Sequence, residues 1–281
     1  MRMTLTLLTL VASVACALPA TAQNEYGIEG MGRVSTAADE AGATVSADGR
    51  LIVFASNREG GAGGWDLWQA TLEDKRWSAP QPLGFNGPGD EGQPHLDASG
   101  QWLYYSAAGR DGRRQLYRVA LAAGQWGTPQ RLEPDTGAGE RFSPASDDAG
   151  RLYFLHRRNE RSPARVWLAA ADGSAARPLD GLDGAWSGLL PLGRNGDLVL
   201  AGSQDGGQRL WHAWCTGGRW TVGPALPLSF NDGQGRTQAP GRDHSMPAEL
   251  LLAGSARAPR AGGLDIYRTR APLTGGDGSC R

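Results

Sequence analysis

Along residues 47–56, ADGRLIVFAS, a turn of small and polar residues gives way to a continuous apolar run. The pattern returns at 98–107 (ASGQWLYYSA), 148–157 (DAGRLYFLHR), 194–203 (RNGDLVLAGS) and 246–255 (MPAELLLAGS). With Gly49, Gly100, Gly150, Gly196 and Ala248 as anchors, the spacings are 51, 50, 46 and 52 residues. Each run is followed by a second phrase: Asp66-Leu67-Trp68, Gln115-Leu116-Tyr117, Arg165-Val166-Trp167, Arg209-Leu210-Trp211 and Asp265-Ile266-Tyr267. A third, proline-containing phrase closes four units: WSAPQPL at 77–83, WGTPQRL at 126–132, SAARPL at 174–179 and WTVGPALPL at 220–228. Three markers that keep their order through the chain define an internal repeat.

The continuous apolar run suits a strand covered on both faces. Proline cannot donate to a ladder, so the third phrase belongs on an outer edge. Turns rich in Gly, Asp and Asn supply the positive φ of tight hairpins. Each unit therefore reads as four antiparallel strands running from buried to edge. Five such units predict an all-β, five-bladed β-propeller. The blades are expected near 37–83, 84–132, 133–180, 181–228 and 229–273. The last unit ends in APLTGGDGSCR, with no edge phrase, while YGIEGMGRVST (26–36) precedes the first unit unassigned. The ring is expected to close by letting that N-terminal segment become the missing outer strand, which removes an open edge.

Composition agrees with many short strands and turns: 42 Gly and 17 Pro in 281 residues, without a collagen-like period. A formal net charge of -1 gives no electrostatic basis for a nucleic-acid partner, and none is expected. The opening MRMTLTLLTLVASVACALPATAQ predicts a signal peptide over 1–22: Arg2, an apolar stretch from Leu5 to Ala17, and Ala20-Thr21-Ala22 before Gln23. That stretch falls short of the ~20 residues that span a bilayer, and no later segment is more apolar. A periplasmic or secreted domain, 23–281, without a transmembrane segment is expected. Ser13-Val14-Ala15-Cys16 loosely resembles a lipobox, which makes Cys16 a candidate lipidation site and a membrane-anchored lipoprotein the alternative. Cleavage after Ala22 leaves Cys215 and Cys280, either a disulfide in an oxidising compartment or two free thiols.

The elements Ser46-x-Asp48-Gly49, Phe54-x-Ser56-Asn57-Arg58, Gly63-Gly64-x-Asp66-Leu67-Trp68 and Trp77-x-x-Pro80 resemble the PD40 repeat, the WD40-like repeat of TolB-type β-propellers. The resemblance spans about 37–270, strongest in the first two units and thinnest in the fourth. It implies a scaffold of the bacterial cell envelope. In units two to four the Asp of the second phrase is replaced (Gln115, Arg165, Arg209), and neither a separate N-terminal domain nor an OmpA-like region accompanies the repeats. The partners of TolB itself are therefore not carried over, because fold does not give function.

Asp39-Glu40, Asp90-Glu91 and Glu140-Arg141 precede the innermost strand of three successive units, a position that opens onto the channel of a propeller. They read either as a ligand or glycosidase carboxylate site or as clamps on backbone N–H groups, and the second reading is favoured. The fourth and fifth units break the pattern with Trp186 and with Arg236, Arg242, Asp243 and His244, which at the same mouth would suit a sugar or peptide; the other reading, a divergent closing blade that has relaxed its consensus, is slightly favoured. Gly87 to Gly92 matches G-x-G-x-x-G but leads into a strand and carries two carboxylates where a pyrophosphate would sit. No G-x-S-x-G elbow is present, and His95, His156, His212 and His244 lack ligand spacing. No catalytic residue, metal or cofactor is assigned. The sequence favours an exported, monomeric, non-enzymatic propeller binding an envelope protein or peptide. The alternative is a carbohydrate-binding or glycoside-hydrolase-like propeller.

Overall fold

The computed structural model describes residues 25–27, 33–109, 111–193, 195–228, 236–255, 261–273 and 275–280; the predicted signal segment and Cys16 lie outside them. The repeat folds as five antiparallel sheets around one axis, with no helix among the described residues. The N-terminal strand β1 (Glu25–Gly27) belongs to the last blade. Blade I holds β2 (Glu40–Val45), β3 (Leu51–Ser56), β4 (Asp66–Glu73), β5 (Arg76–Trp77) and β6 (Gln81–Pro82). Blade II holds β7 (Glu91–Leu96), β8 (Trp102–Ala108), β9 (Arg114–Ala122), β10 (Gln125–Trp126) and β11 (Gln130–Leu132). Blade III comprises β12 (Glu140–Ser146), β13 (Leu152–Arg157), β14 (Arg165–Ala169) and β15 (Arg177–Pro178). Blade IV comprises β16 (Trp186–Leu192), β17 (Asp197–Gln204), β18 (Gly207–Thr216) and β19 (Arg219–Ala225). Blade V runs from β20 (Thr237–Arg242) through β21 (Glu249–Gly254) and β22 (Asp265–Arg270) to β1.

The ring closes as the sequence predicts: β1 pairs antiparallel with β22, Tyr26 opposite Arg268. The pairing stretch is shorter than the 26–36 segment expected. The edge phrase of the first two units also departs from expectation. It forms two short pairings on the third strand, β5 and β6 on β4 and β10 and β11 on β9, instead of one continuous strand. Pro80 and Pro129 fall between the members of each pair, where the missing N–H interrupts the ladder.

Apolar faces of successive blades pack on one another. Phe54, Trp68, Leu251 and Ile266 share a cluster across the blade V–blade I seam, and Val53, Leu67, Leu103 and Tyr105 one across the seam between blades I and II. The recurring ring of the second phrase is buried at Trp68, Trp211 and Tyr267, as a structural position should be.

Every innermost strand carries a bulge. In four blades the bulged residue has positive φ: Gly42 (56°), Gln93 (56°), Ser143 (52°) and Ala239 (51°). The bulges turn Pro94, Pro144 and Pro240 toward the axis and leave a cavity of only about 10 Å³ there. Gln93 bridges three blades across it. Its Oε1 accepts from Ser106 Oγ (2.7 Å) and Ser143 N–H (2.8 Å), and its Nε2 donates to the Ser187 carbonyl (2.9 Å). The axis is a packed plug, so ligands have access to the faces of the ring only.

The C-terminal segment returns across blade IV. Cys215 and Cys280 are disulfide-bonded with Cα atoms 5.9 Å apart. The buried Asp197 carboxylate accepts from Gly275 N–H (2.7 Å) and from His212 (3.1 Å), which seats the segment. No helix of the described residues is long and apolar enough to cross a membrane.

Candidate binding face

One face of the ring carries the starts of the innermost strands and the loops between second and third strands. The acidic positions singled out in the sequence lie here, and most are tied to the protein itself. Asp90 Oδ1 accepts from Trp65 N–H (3.0 Å), and Trp65 returns a bond through its carbonyl to Glu91 N–H (2.8 Å). Asp39 and Leu264 make the same pair at the closing seam, with bonds of 2.8 and 2.9 Å. The glycines ahead of these residues are required for the approach. A Cβ on Gly63 would sit 2.2 Å from the Gly89 carbonyl oxygen, and one on Gly262 would sit 2.0 Å from that of Ala38. The Gly-Gly-x-Asp phrase is thus a latch between consecutive blades. Its own Asp, Asp66 or Asp265, accepts N–H bonds from the loop before it.

Glu40 and Glu91 occupy equivalent positions, opposite Ser56 and Ala107 respectively, and differ sharply in surroundings. Glu40 is buried and saturated: it accepts from Thr36 N–H (3.0 Å), Thr36 Oγ1 (2.7 Å) and Ser56 Oγ (3.3 Å), and pairs with Arg58 (2.9 Å). At the equivalent places of blade II, Thr36 becomes Gly87, Ser56 becomes Ala107 and Arg58 becomes Gly109. Every side-chain donor has gone. Phe85 instead lies against Tyr105, ring centroids 5.5 Å apart, where Arg58 lies over Phe54 in blade I. Glu91 Oε2 is left buried without a hydrogen-bond partner. Burial pushes the carboxyl up to about 7; Asp66 and Asp90 add to the shift, and Gly87 N–H and Arg114 oppose it. Equivalent repeat positions thus differ in environment, because the donors lie on other segments of the chain and vary independently.

In blade III the same two places are Glu140 and Arg141. Glu140 pairs with Arg157 (2.5 Å). Arg141 donates to Thr136 Oγ1 (2.8 Å), Gln115 Oε1 (2.9 Å) and the Gly137 carbonyl (2.7 Å). Trp186 lies at this face but turns inward. Its Nε1 donates to the Leu182 carbonyl (2.8 Å), and its ring meets Trp211 edge-on at 5.4 Å. Arg236 is exposed here, with its N–H on Ser255 Oγ (2.9 Å).

Arg242, Asp243 and His244 are placed elsewhere. They lie at the far end of β20, on the opposite face, because a strand of six residues carries the chain about 20 Å. There Asp243 pairs with Arg268 (2.5 Å) and Arg242 approaches Asp148 at 3.8 Å. His244 donates to the Leu96 carbonyl (2.7 Å) and meets the His95 ring at 5.8 Å, and burial holds both imidazoles below their ordinary range. The expected single constellation is therefore two separate groups. Among the described residues no three His, Cys, Asp or Glu side chains gather as a metal site needs.

Two cavities open on the first face. The mouth cavity, about 220 Å³, is lined by Trp65, Glu91, Gln93, Arg114, Ser187 and Gln238 with backbone of the bulges. Glu91 is its only carboxylate among the described residues. The second, about 570 Å³, lies toward the rim between blades II and III and is lined by Asp111, Arg113, Glu140, Arg158, Glu160 and Arg161 among others. The sequence reading missed this arginine group, although RDGRR (110–114) and RRNER (157–161) recur at the same loop of successive units.

No family model and no curated protein matches this chain. Solved structures share its fold. A family 117 glycoside hydrolase from Zobellia galactanivorans superposes with a TM-score of 0.53 at 12% identity over 89% of this chain and 90% of that one. The putative TolB from Agrobacterium tumefaciens gives 0.50 at 17% identity over 84% and 74%. TolB from Acinetobacter baumannii gives 0.45 at 13% over 83% of this chain, which spans 44% of that longer protein. The likeness is one of fold alone.

Proposed function

We propose that this chain is an exported β-propeller that binds a protein or peptide segment on the face bearing the two cavities, without catalysing a reaction. The observation that carries the reading is the fate of the carboxylates. Asp39, Asp66, Asp90 and Asp265 are occupied by backbone N–H groups, and Glu40 and Glu140 by arginines. The mouth cavity retains Glu91 alone among its described lining residues, whereas glycoside hydrolysis needs two carboxyl groups facing one bond. The inward turn of Trp186 takes away one aromatic platform a sugar would use and leaves only the half-buried Trp65 in the described lining of the mouth. Export is supported by the signal segment that the sequence predicts over 1–22.

The carbohydrate reading keeps one observation in its favour. A carboxyl titrating near pH 7 in a cleft is suited to general acid catalysis. A photo-crosslinking residue at Gln238, with Met246 on the opposite face as control, distinguishes the two in envelope extract. A protein adduct at Gln238 and none at Met246 is expected. Glycan hydrolysis abolished by Glu91→Gln would overturn the proposal.

A further inference from the structure

With the acids consumed internally, the face is left with arginines. Arg58, Arg141, Arg157 and Arg165 are engaged: on Glu40, on neutral acceptors around Thr136, on Glu140, and on Asp180 and Asp183. Arg113, Arg114, Arg158 and Arg161 are not. Among the described residues none of these four makes an ion pair or places its guanidinium on an acceptor. Arg113, Arg158 and Arg161 are exposed around the rim cavity. Arg114, the next residue and the first of β9, lines the mouth cavity near Glu91, so the start of β9 and the loop before it present one guanidinium to each cavity. Against these four, the lining of the two cavities holds two exposed carboxylates, Asp111 and Glu160, and the buried Glu91 near Arg114, with Glu140 already on Arg157.

We propose that this face docks an acidic peptide segment laid from the mouth cavity to the rim between blades II and III, its carboxylates pairing with Arg114, Arg113, Arg158 and Arg161. The inference rests on the peptide-binding reading and specifies the chemistry of its partner. Guanidinium forks take carboxylates bidentately, and unpaired forks on one face repel a basic competitor and offer a neutral one no ion pair. A peptide is favoured over an anionic glycan because the half-buried Trp65 is the one aromatic side chain among the described lining of the two cavities, and the rim has none. The large exposed apolar groups are Val222, Met246 and Leu273.

The test uses a fluorescent peptide of alternating Glu and Ser, its Gln-Ser counterpart and an oligogalacturonate as probes on the full chain. The Glu-Ser peptide is expected to bind, with affinity falling about tenfold as salt rises from about 50 to about 250 mM, and the Gln-Ser peptide is expected not to bind. Arg158→Glu with Arg161→Glu should weaken binding about tenfold or more at an unchanged melting temperature. Arg131→Glu, in the outer strand of blade II and already beside Glu133 (3.5 Å), should leave binding as it is. Equal binding of both peptides, binding of oligogalacturonate without the Glu-Ser peptide, or full affinity in the double variant would each overturn the inference. A protein adduct at Gln238 with no preference for acidic peptide sinks this inference and spares the peptide-binding reading. Absence of that adduct sinks both.

Discussion

The carboxylate of Asp39 accepts a hydrogen bond from the backbone N–H of Leu264, 225 residues further along the chain, at 2.8 Å. Its counterpart in the next blade, Asp90 to Trp65, spans 25 residues. The same bond is therefore a local contact at one seam and a ring closure at the other. Loss of either should leave a buried N–H without its acceptor, at about 1–2 kcal/mol. Asp39→Ala and Asp90→Ala, which remove the accepting oxygen, are expected to lower the urea midpoint of unfolding to a similar degree. A silent Asp39→Ala would contradict the latch.

Gly241 tests the same seam sterically. A Cβ there would stand 1.9 Å from the Ala43 carbonyl oxygen of the first blade. Gly241→Ala must push blade V off blade I and should cost about 2–4 kcal/mol, read as a lowered denaturation midpoint. Gly124→Ala is a poor control because its φ of 75° is itself strained for alanine. Gly84→Ala, which meets nothing within 4 Å, is the better one and should cost well under half as much.

Glu91 gives a pH dependence. Its folded pKa, about 7, lies above the ordinary value of 4.5, so the folded state holds the proton longer than the unfolded chain does. Stability from this group is therefore full below about pH 4.5, falls between 4.5 and 7, and is flat above. Glu91→Gln should unfold about 2 kcal/mol later than the wild type at pH 8, with the difference vanishing by pH 4. Thermal melts of the two proteins across that range check it. The opposite trend would mean that Glu91 is ionised and paired.

The closing segment gives a redox dependence. The Cys215–Cys280 bond ties off 65 residues, including all of blade V apart from β1. Cys280→Ser is expected to lower stability by about 3 kcal/mol and to free Asp197 from Gly275. Reductant should lower the melting temperature of the wild type and leave that of the variant unchanged.

The blades were legible in the sequence because a repeat states its own period, and the closing strand followed from counting what the last unit lacked. The clamp role of Asp39 and Asp90 was legible as the favoured reading of acids that recur at one place in successive units, and the Gly-Gly-x-Asp at 63–66 and again at 262–265 is the further signal that locates their partners. The surroundings of Glu91 were hidden by reading its repeat position alone. The signal lay at Gly87, Ala107 and Gly109, which replace Thr36, Ser56 and Arg58. The misplacement of Arg242, Asp243 and His244 came from treating a six-residue strand as a point. The direction of Trp186 could not be read from sequence, because Gly184 and Gly202 make room for its ring only once β16 and β17 are paired.

The division of labour on the binding face, acids inward as latches and arginines outward as contacts, is tested most directly by measuring melting temperature and Glu-Ser peptide affinity side by side for Asp90→Ala and Arg161→Glu. The account predicts that Asp90→Ala melts earlier and binds like the wild type, while Arg161→Glu melts like the wild type and binds several-fold more weakly. Weakened binding in the first with no change in the second would contradict it.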